Sequence, residues 1–274
     1  MKRIIIITGA SSGIGREFAR QIIYKRTFDE LWLVARRQDR LEEVSAEIET
    51  TLKESLSDTK QKVRFFSADI TGTDGMDFFS RLFQQETKDS GEFVIDTLIN
   101  NAGFGTYGPF AETPLNRELE MINLNCTSLT GICGTALPYL AKGSSIINVS
   151  SLAAFSPLGN FAVYAATKAY VYSFSLALAA ELADKGIHVM ALCPGSVSTE
   201  FALVASNGAR QEVKGGKSVV KLVAHALRCQ KKGKKVALMA LKWKVSAFLS
   251  HFVGKYFYAR YTYLHEKRPY RQDR

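Results

Sequence analysis

The string YAATKAY, residues 164–170, sets a phenol four residues ahead of an ammonium. From Ala165 to Leu182 most residues are helix formers, and Gly186 in ADKGI marks the stop. Positions i and i+4 stack on one helix face, so Tyr164 and Lys168 can converge on one point. A free phenol titrates near pH 10, about three units above neutrality. A neighbouring cation favours the phenolate, so such a pair can hold or release a proton. Tyr and Lys at this spacing are common on helices, however, and the rest of the chain decides what the pair does.

Short apolar runs alternate with longer amphipathic segments over the first 195 residues. Strands are expected at 3–8, 30–35, 62–68, 94–101, 144–151 and 187–194, and helices at 14–25, 38–56, 74–89, 116–140 and 164–184. That rhythm predicts a parallel sheet with helices on both faces. The runs IIII and SIINV are continuously apolar, as strands buried on both sides must be. No linker or repeat interrupts the pattern, so a single α/β domain of the doubly wound, Rossmann-like kind is expected, with about seven strands.

The string IIIITGASSGIGREFA places a glycine-rich turn between the first strand and the first helix. Gly9, Gly13 and Gly15 allow a tight turn and close backbone approach to a pyrophosphate, with helix N–H groups aimed at its oxygens. Ser11, Ser12 and Ile14 complete this candidate cofactor-binding turn. In a dinucleotide fold the end of the second strand meets the adenosine ribose, where an acid would bind the 2′-hydroxyl. Here the strand ends LVARR, with Ala35 in the acid's place, then Arg36 and Arg37. Guanidinium groups suit a 2′-phosphate, which makes NADP(H) the expected cofactor.

With these residues in view, the sequence resembles the tyrosine-dependent short-chain dehydrogenase/reductase family. The matching motifs are TGASSGIG (8–15), ADI (68–70), NNAG (100–103), LNCT (124–127), NVSS (148–151), YAATK (164–168) and CPGSVST (193–199), in the family's order. The longer strings NNAGFGTYGPF and YAATKAYVYSFSLAL are similar to the branch with 17β-hydroxysteroid-dehydrogenase-like reductases. The resemblance implies an oxidoreductase interconverting a ketone and a secondary alcohol. It makes Tyr164 the acid/base, and it has Lys168, with the oxidised nicotinamide, lower the phenol's pKa while holding the nicotinamide ribose. Ser151, rather than Ser150, would bond the substrate oxygen, and Asn125 would hold a water linking the lysine to solvent. Asp69 and Ile70 would frame the adenine, and Asn101, Ala102 and Gly103 would let the fourth strand approach the cofactor. Pro194 turns the chain so that Val197 and Thr199 would meet the carboxamide and phosphate. Ser12 departs from those NADP-preferring relatives that carry a Lys or Arg there, which puts more of the 2′-phosphate on Arg36. The alternative to an enzyme is a protein that senses NADP(H) without turnover or serves as a membrane-associated regulator.

Residues 200–218 are polar and aperiodic where the family carries its substrate lid. Phe104, Phe155, Leu158, Phe161 and Phe201 flank the motifs and are candidates for an apolar pocket. A bulky hydrophobic carbonyl or alcohol, such as a steroid, bile acid or fatty-chain ketone, is the expected substrate. The 274 residues carry a net charge of +10. From Arg210 onward 17 basic residues face three acidic ones, so a tail of net +14 sits on a mildly acidic body. Residues 1–209 therefore form the expected cofactor-binding and catalytic unit, and 210–274 a basic, aromatic, helical extension of it. Within 236–264 apolar residues recur at helical steps and lysines interrupt them. That segment suits an anionic lipid surface, or packing on the subunit itself or on the second copy of a homodimer or homotetramer. An aromatic face left free is a liability, which favours packing. No nucleic-acid module is visible. Four cysteines without zinc spacing and four scattered histidines give no metal site and suit a reduced, cytoplasmic protein.

Overall fold

Successive isoleucines of the first strand take opposite sides, as strand geometry requires. Ile5 and Ile7 pack with Leu31, Leu33, Phe18, Leu222 and Val223 on one face, while Ile4 and Ile6 pack with Trp32, Val34, Phe79, Phe83 and Val171 on the other. Both faces are covered, so the chain needs continuously apolar strands, and it has them.

The computed structural model describes residues 1–55, 60–211 and 215–272. Seven strands form one parallel sheet: β1 (Lys2–Thr8), β2 (Glu30–Ala35), β3 (Lys62–Ser67), β4 (Phe93–Asn100), β5 (Ser145–Val149), β6 (His188–Leu192) and β7 (Val236–Ala237). Their order is β3-β2-β1-β4-β5-β6-β7. The chain reverses direction across the sheet between β1 and β4, and ligands of such sheets bind beyond the strand ends at that switch. The helices are α1 (Gly13–Ile22), α2 (Gln38–Ser55), α3 (Thr73–Ser90), α4 (Leu115–Ile122), α5 (Leu129–Ala136), α6 (Ala162–Glu181), α7 (Phe201–Ala205), α8 (Val219–Lys231), α9 (Leu241–Leu249) and α10 (Lys255–His265). The fold is the doubly wound, Rossmann-like α/β architecture with a helical basic extension.

Two differences from the sequence expectation concern the site. The helix expected at 116–140 is broken: Asn123–Ser128 winds as a π-helix between α4 and α5, and Leu137–Tyr139, with Pro138, is a 3-10 turn. The strands expected at 144–151 and 187–194 end at Val149 and Leu192, because Ser150, Ser151, Cys193 and Pro194 leave the sheet to meet one another. Ser150 N–H donates to the Leu192 carbonyl (2.8 Å) and Leu152 N–H to the Pro194 carbonyl (2.7 Å). Residue 56 of the expected second helix and 212–214 of the expected lid lie outside the described residues.

The tail returns to the body at defined points. Asn160 (φ 60°) and Asn207 (φ 49°) are the non-glycine residues with positive φ among those described. Asparagine tolerates that conformation better than most side chains. Asn160 Nδ2 donates to the Tyr263 and Glu266 carbonyls (3.0 and 3.1 Å), and Asn207 Nδ2 to the Arg271 carbonyl (2.9 Å). Gly159 N–H donates to Thr262 Oγ1 at 2.8 Å, and Lys255 Nζ to the Phe155 carbonyl at 2.8 Å. Trp243 of α9 is buried against Gly195, where an added Cβ would lie 2.4 Å from the indole nitrogen.

Candidate active site

A cavity of about 850 Å³ lies beyond the strand ends, over the switch between β1 and β4. At one end is the glycine turn. Gly9 (φ 65°) and Gly13 (φ 53°) use left-handed backbone. At Gly15 the limit is space, since a Cβ would meet the Gly9 carbonyl oxygen at 2.2 Å. The first turn of α1 carries no acidic side chain, so its free N–H groups can receive an anion. Asn101 Nδ2 donates to the Thr8 and Gly9 carbonyls (both 3.1 Å), and the Asn101 and Ala102 N–H groups donate to Thr8 Oγ1 (3.0 and 3.1 Å). Asn101 thus ties the end of β4 to the turn.

Arg36 and Arg37 part company at the end of β2. Arg37 is spent on Glu200 (3.1 Å) and Ser11 Oγ (3.3 Å), which draws α7 to the turn. Arg36 is exposed on the cavity rim, with Asp69 at 3.9 Å as its ion pair. Asp69 accepts from Thr71 N–H (3.0 Å) and Thr71 Oγ1 (2.6 Å), which shapes the loop after β3. Buried Ile70 lies beside it in the wall. A turn with no room for a Cβ at Gly9 or Gly15, an acid-free helix start and an arginine at the rim fit a dinucleotide.

At the other end α6 presents Tyr164 and Lys168, both buried, on the face read from their spacing. Ser151 stands beside the phenol in the cavity wall. Its Oγ accepts from Ala153 N–H (3.1 Å) and donates to the Pro194 carbonyl (3.4 Å). Ser150 Oγ donates instead to the Lys168 carbonyl at 2.7 Å, which anchors α6. Lys168 Nζ donates to the Val149 carbonyl at 2.9 Å and stands 5.7 Å from the centre of the Tyr164 ring. Burial holds the lysine down at about 8, against a partial lift from the Cys126 and Cys193 thiols.

Taken together, the protein's own groups hold the phenol's pKa up. Burial raises it, the Ser151 hydrogen bond works against that rise, and Tyr107 nearby adds to it. The physical reason is desolvation: both partners are out of water, and the ammonium's bonded acceptor is the Val149 carbonyl.

Asn125 and Gly15 do not line the cavity; the other residues read from sequence do. Asn125 sits in the π-helical stretch, where such windings often mark functional sites. Its Nδ2 donates to the Phe104 carbonyl (2.9 Å) and Thr167 Oγ1 (3.1 Å), and its Oδ1 accepts from Phe104 N–H (3.1 Å). Thr167 Oγ1 in turn donates to the Tyr164 carbonyl at 2.8 Å, so Asn125 locks α6 to the loop after β4.

The five apolar candidates, Phe104, Phe155, Leu158, Phe161 and Phe201, all line the cavity. Phe161 stacks on Tyr164 with ring centres 4.1 Å apart. The wall also holds Tyr107, Arg210 and, from the tail, Ser246, Tyr258, Glu266 and Arg268. Arg268 lies 5.4 Å from the Phe161 ring centre and pairs with Glu266 at 2.5 Å. Tyr107 does lie within NNAGFGTYGPF, but no local spacing brings the tail residues to it. The four cysteines are free thiols, and burial pushes Cys133 and Cys193 up to about 12.

Known proteins resemble the chain over this whole region. The family described as short chain dehydrogenase matches residues 3–209. A serine 3-dehydrogenase of Agrobacterium fabrum is 35% identical over 214 residues, covering 76% of this chain and 77% of that protein. A short-chain dehydrogenase from Sphingobium yanoikuyae, solved in complex with NADPH, matches with a TM-score of 0.75 at 29% identity, over 91% of this chain and 94% of that one. A bulky-bulky ketone specific alcohol dehydrogenase from Comamonas testosteroni matches with a TM-score of 0.71 at 26% identity, over 92% of both chains. With the glycine cradle and the Ser–Tyr–Lys wall at two ends of one cavity, these likenesses make the chain an oxidoreductase belonging to the short-chain dehydrogenase family.

Proposed function

We propose that the protein uses NADP(H) to interconvert a bulky hydrophobic ketone and its secondary alcohol, with Tyr164 moving the proton. The observation that carries this reading is the single cavity joining the glycine turn and Arg36 to Ser151, Tyr164 and a largely aromatic wall. The Sphingobium relative binds NADPH and the Comamonas relative acts on bulky ketones, which supports both halves.

Bound NADPH supplies the hydride. Ser151 and Tyr164 hold the carbonyl oxygen between two hydroxyl donors, and the phenol hands it a proton as carbon is reduced. A phenol kept protonated by burial suits donation, hence reduction, and the reverse reaction needs the phenolate to be favoured. Lys168 carries a charge below about pH 8 and presents donors to the cofactor ribose. The Phe161 ring stacked on Tyr164 fixes the phenol's plane and excludes water from one side. A mere sensor of NADP(H) has no need of a serine set beside the buried phenol.

The test is a panel of steroid, bile-acid and fatty-chain ketones, read as loss of nicotinamide absorbance with NADPH or NADH. Turnover of the larger ketones with NADPH is expected. NADPH binding without turnover of any ketone in the panel would favour a sensor instead.

A further inference from the structure

An ordinary surface helix buries its apolar face and shows water its polar one. Helices α9 and α10 leave a large apolar surface outside as well. On α9 the packed positions are Trp243, Ala247 and, just beyond its end, Ser250, at helical spacing. The opposite stripe, Leu241, Val245, Phe248, Leu249 and Phe252, is exposed, with Phe248 at 64% and Phe252 at 73%. On α10 the buried residue is Thr262, whereas Tyr256 (83%), Phe257 (68%), Tyr261 and Leu264 face outward. Packing on the body therefore covers Trp243 and Ala247 of α9 and Thr262 of α10, and leaves Phe248, Phe252, Tyr256 and Phe257 in the open. A monomer in water gains nothing from such an outcrop.

Charge indicates what covers it. Lys242, Lys244, Lys255 and Arg260 are exposed on the same helices, and no Asp or Glu occurs from Val213 to His265. A second copy seated on this surface would set cations against cations with no acid to pair them. An anionic lipid surface reverses that balance: lysines and arginine meet headgroups, and aromatic rings enter the interfacial layer where they are favoured. Neither helix, at 9 and 11 residues, is long enough to span a bilayer. Among the described residues no helix is long and apolar enough to cross a membrane.

We infer that the outer faces of α9 and α10 form a docking surface for anionic membranes, on which the protein lies without spanning. The same helices lend Ser246 and Tyr258 to the cavity wall, so a docked bilayer sits next to the substrate chamber.

The test is flotation of the full chain with phosphatidylcholine vesicles, with and without phosphatidylserine, at low and high salt. A variant carrying Phe248→Ser, Phe252→Ser, Tyr256→Ser and Phe257→Ser changes only exposed side chains. A second carries Lys242→Glu, Lys244→Glu and Arg260→Glu. Melting curves and elution volume without vesicles are recorded for each. The wild type is expected to float with the anionic vesicles and to lose roughly tenfold or more in partitioning at high salt. Both variants, folded by their melting curves, should stay unbound. No flotation of the wild type, equal flotation with neutral vesicles, or flotation kept by the serine variant would each overturn the inference. Loss of a larger oligomer in the serine variant, without flotation of the wild type, would assign the surface to a second copy.

Discussion

At the scale of residues, burial decides what the reactive groups are before any ligand arrives. Lys168 is held at about 8 rather than 10.5, because a charged amine is costly away from water. The sign of the consequence is fixed. Between those values the unfolded chain binds more protons than the folded one, so stability rises with pH. Below about pH 8 the burial penalty is full, and it is relieved as pH climbs toward 10.5. Urea unfolding of wild type and Lys168→Met should show the wild type gaining on the variant across that window, on the order of 1 kcal/mol per pH unit. A difference that stays flat would mean that the lysine titrates normally. The proposed use of NADP(H) places the 2′-phosphate on Arg36. Charge-assisted hydrogen bonds are worth about 1.5–3 kcal/mol, so Arg36→Ala should weaken NADPH binding roughly tenfold to a hundredfold and NADH little. Equal weakening of both would show that it does not read the 2′-phosphate. The identity of these side chains was legible in the sequence, from the i, i+4 spacing of Tyr164 and Lys168 and from LVARR. Their titration was not, since desolvation belongs to the folded interior and to no local pattern.

At the scale of elements, the site is made where regular structure stops. β5 and β6 end two residues early so that Ser151 and Pro194 can meet, and a π-helical stretch sets Asn125 between Phe104 and Thr167. A continuous helix at 116–140 was the natural reading of that segment, since a winding change leaves no mark in apolar periodicity. The turn after β1 was more legible, because only glycine meets its demands. Gly15→Ala should place a methyl against the Gly9 carbonyl oxygen and Asn101 Nδ2. The expected result is a destabilisation of about 1–3 kcal/mol with weaker dinucleotide binding, read by thermal melts with and without NADPH. An unchanged melt and affinity would mean that the cradle is looser than its spacing indicates.

At the scale of the whole molecule, the basic extension is part of the wall around the cavity. Trp243 lies in the core cluster with β6 and α8 residues, and Arg268 and Glu266 reach the cavity from the far end of the chain. Trp243→Ala should cost about 3–5 kcal/mol, as deleting a buried ring does, and lower the melting temperature by roughly 2–4 °C per kcal/mol. A melting temperature within error of wild type would show that the extension is only loosely held. The extension's helical character and charge could be read from lysines and aromatics at three- and four-residue steps. Its seat could not. Asn160 and Thr262, or Asn207 and Arg271, meet across long stretches of chain and follow no local spacing. The two-residue β7 is likewise too short to register as a strand in the sequence.

The most direct measurement is the Tyr164→Phe variant, assayed in parallel for NADPH binding and for ketone-dependent NADPH oxidation. The change removes one hydroxyl and leaves the ring stacked on Phe161 and in tilted contact with Phe201. NADPH affinity should remain within a few-fold of wild type while turnover falls by roughly a hundredfold or more, the usual contribution of a positioned acid or base. Turnover at the wild-type rate would show that the proton comes from another group and that the Tyr164–Ser151 pair is not the reacting centre.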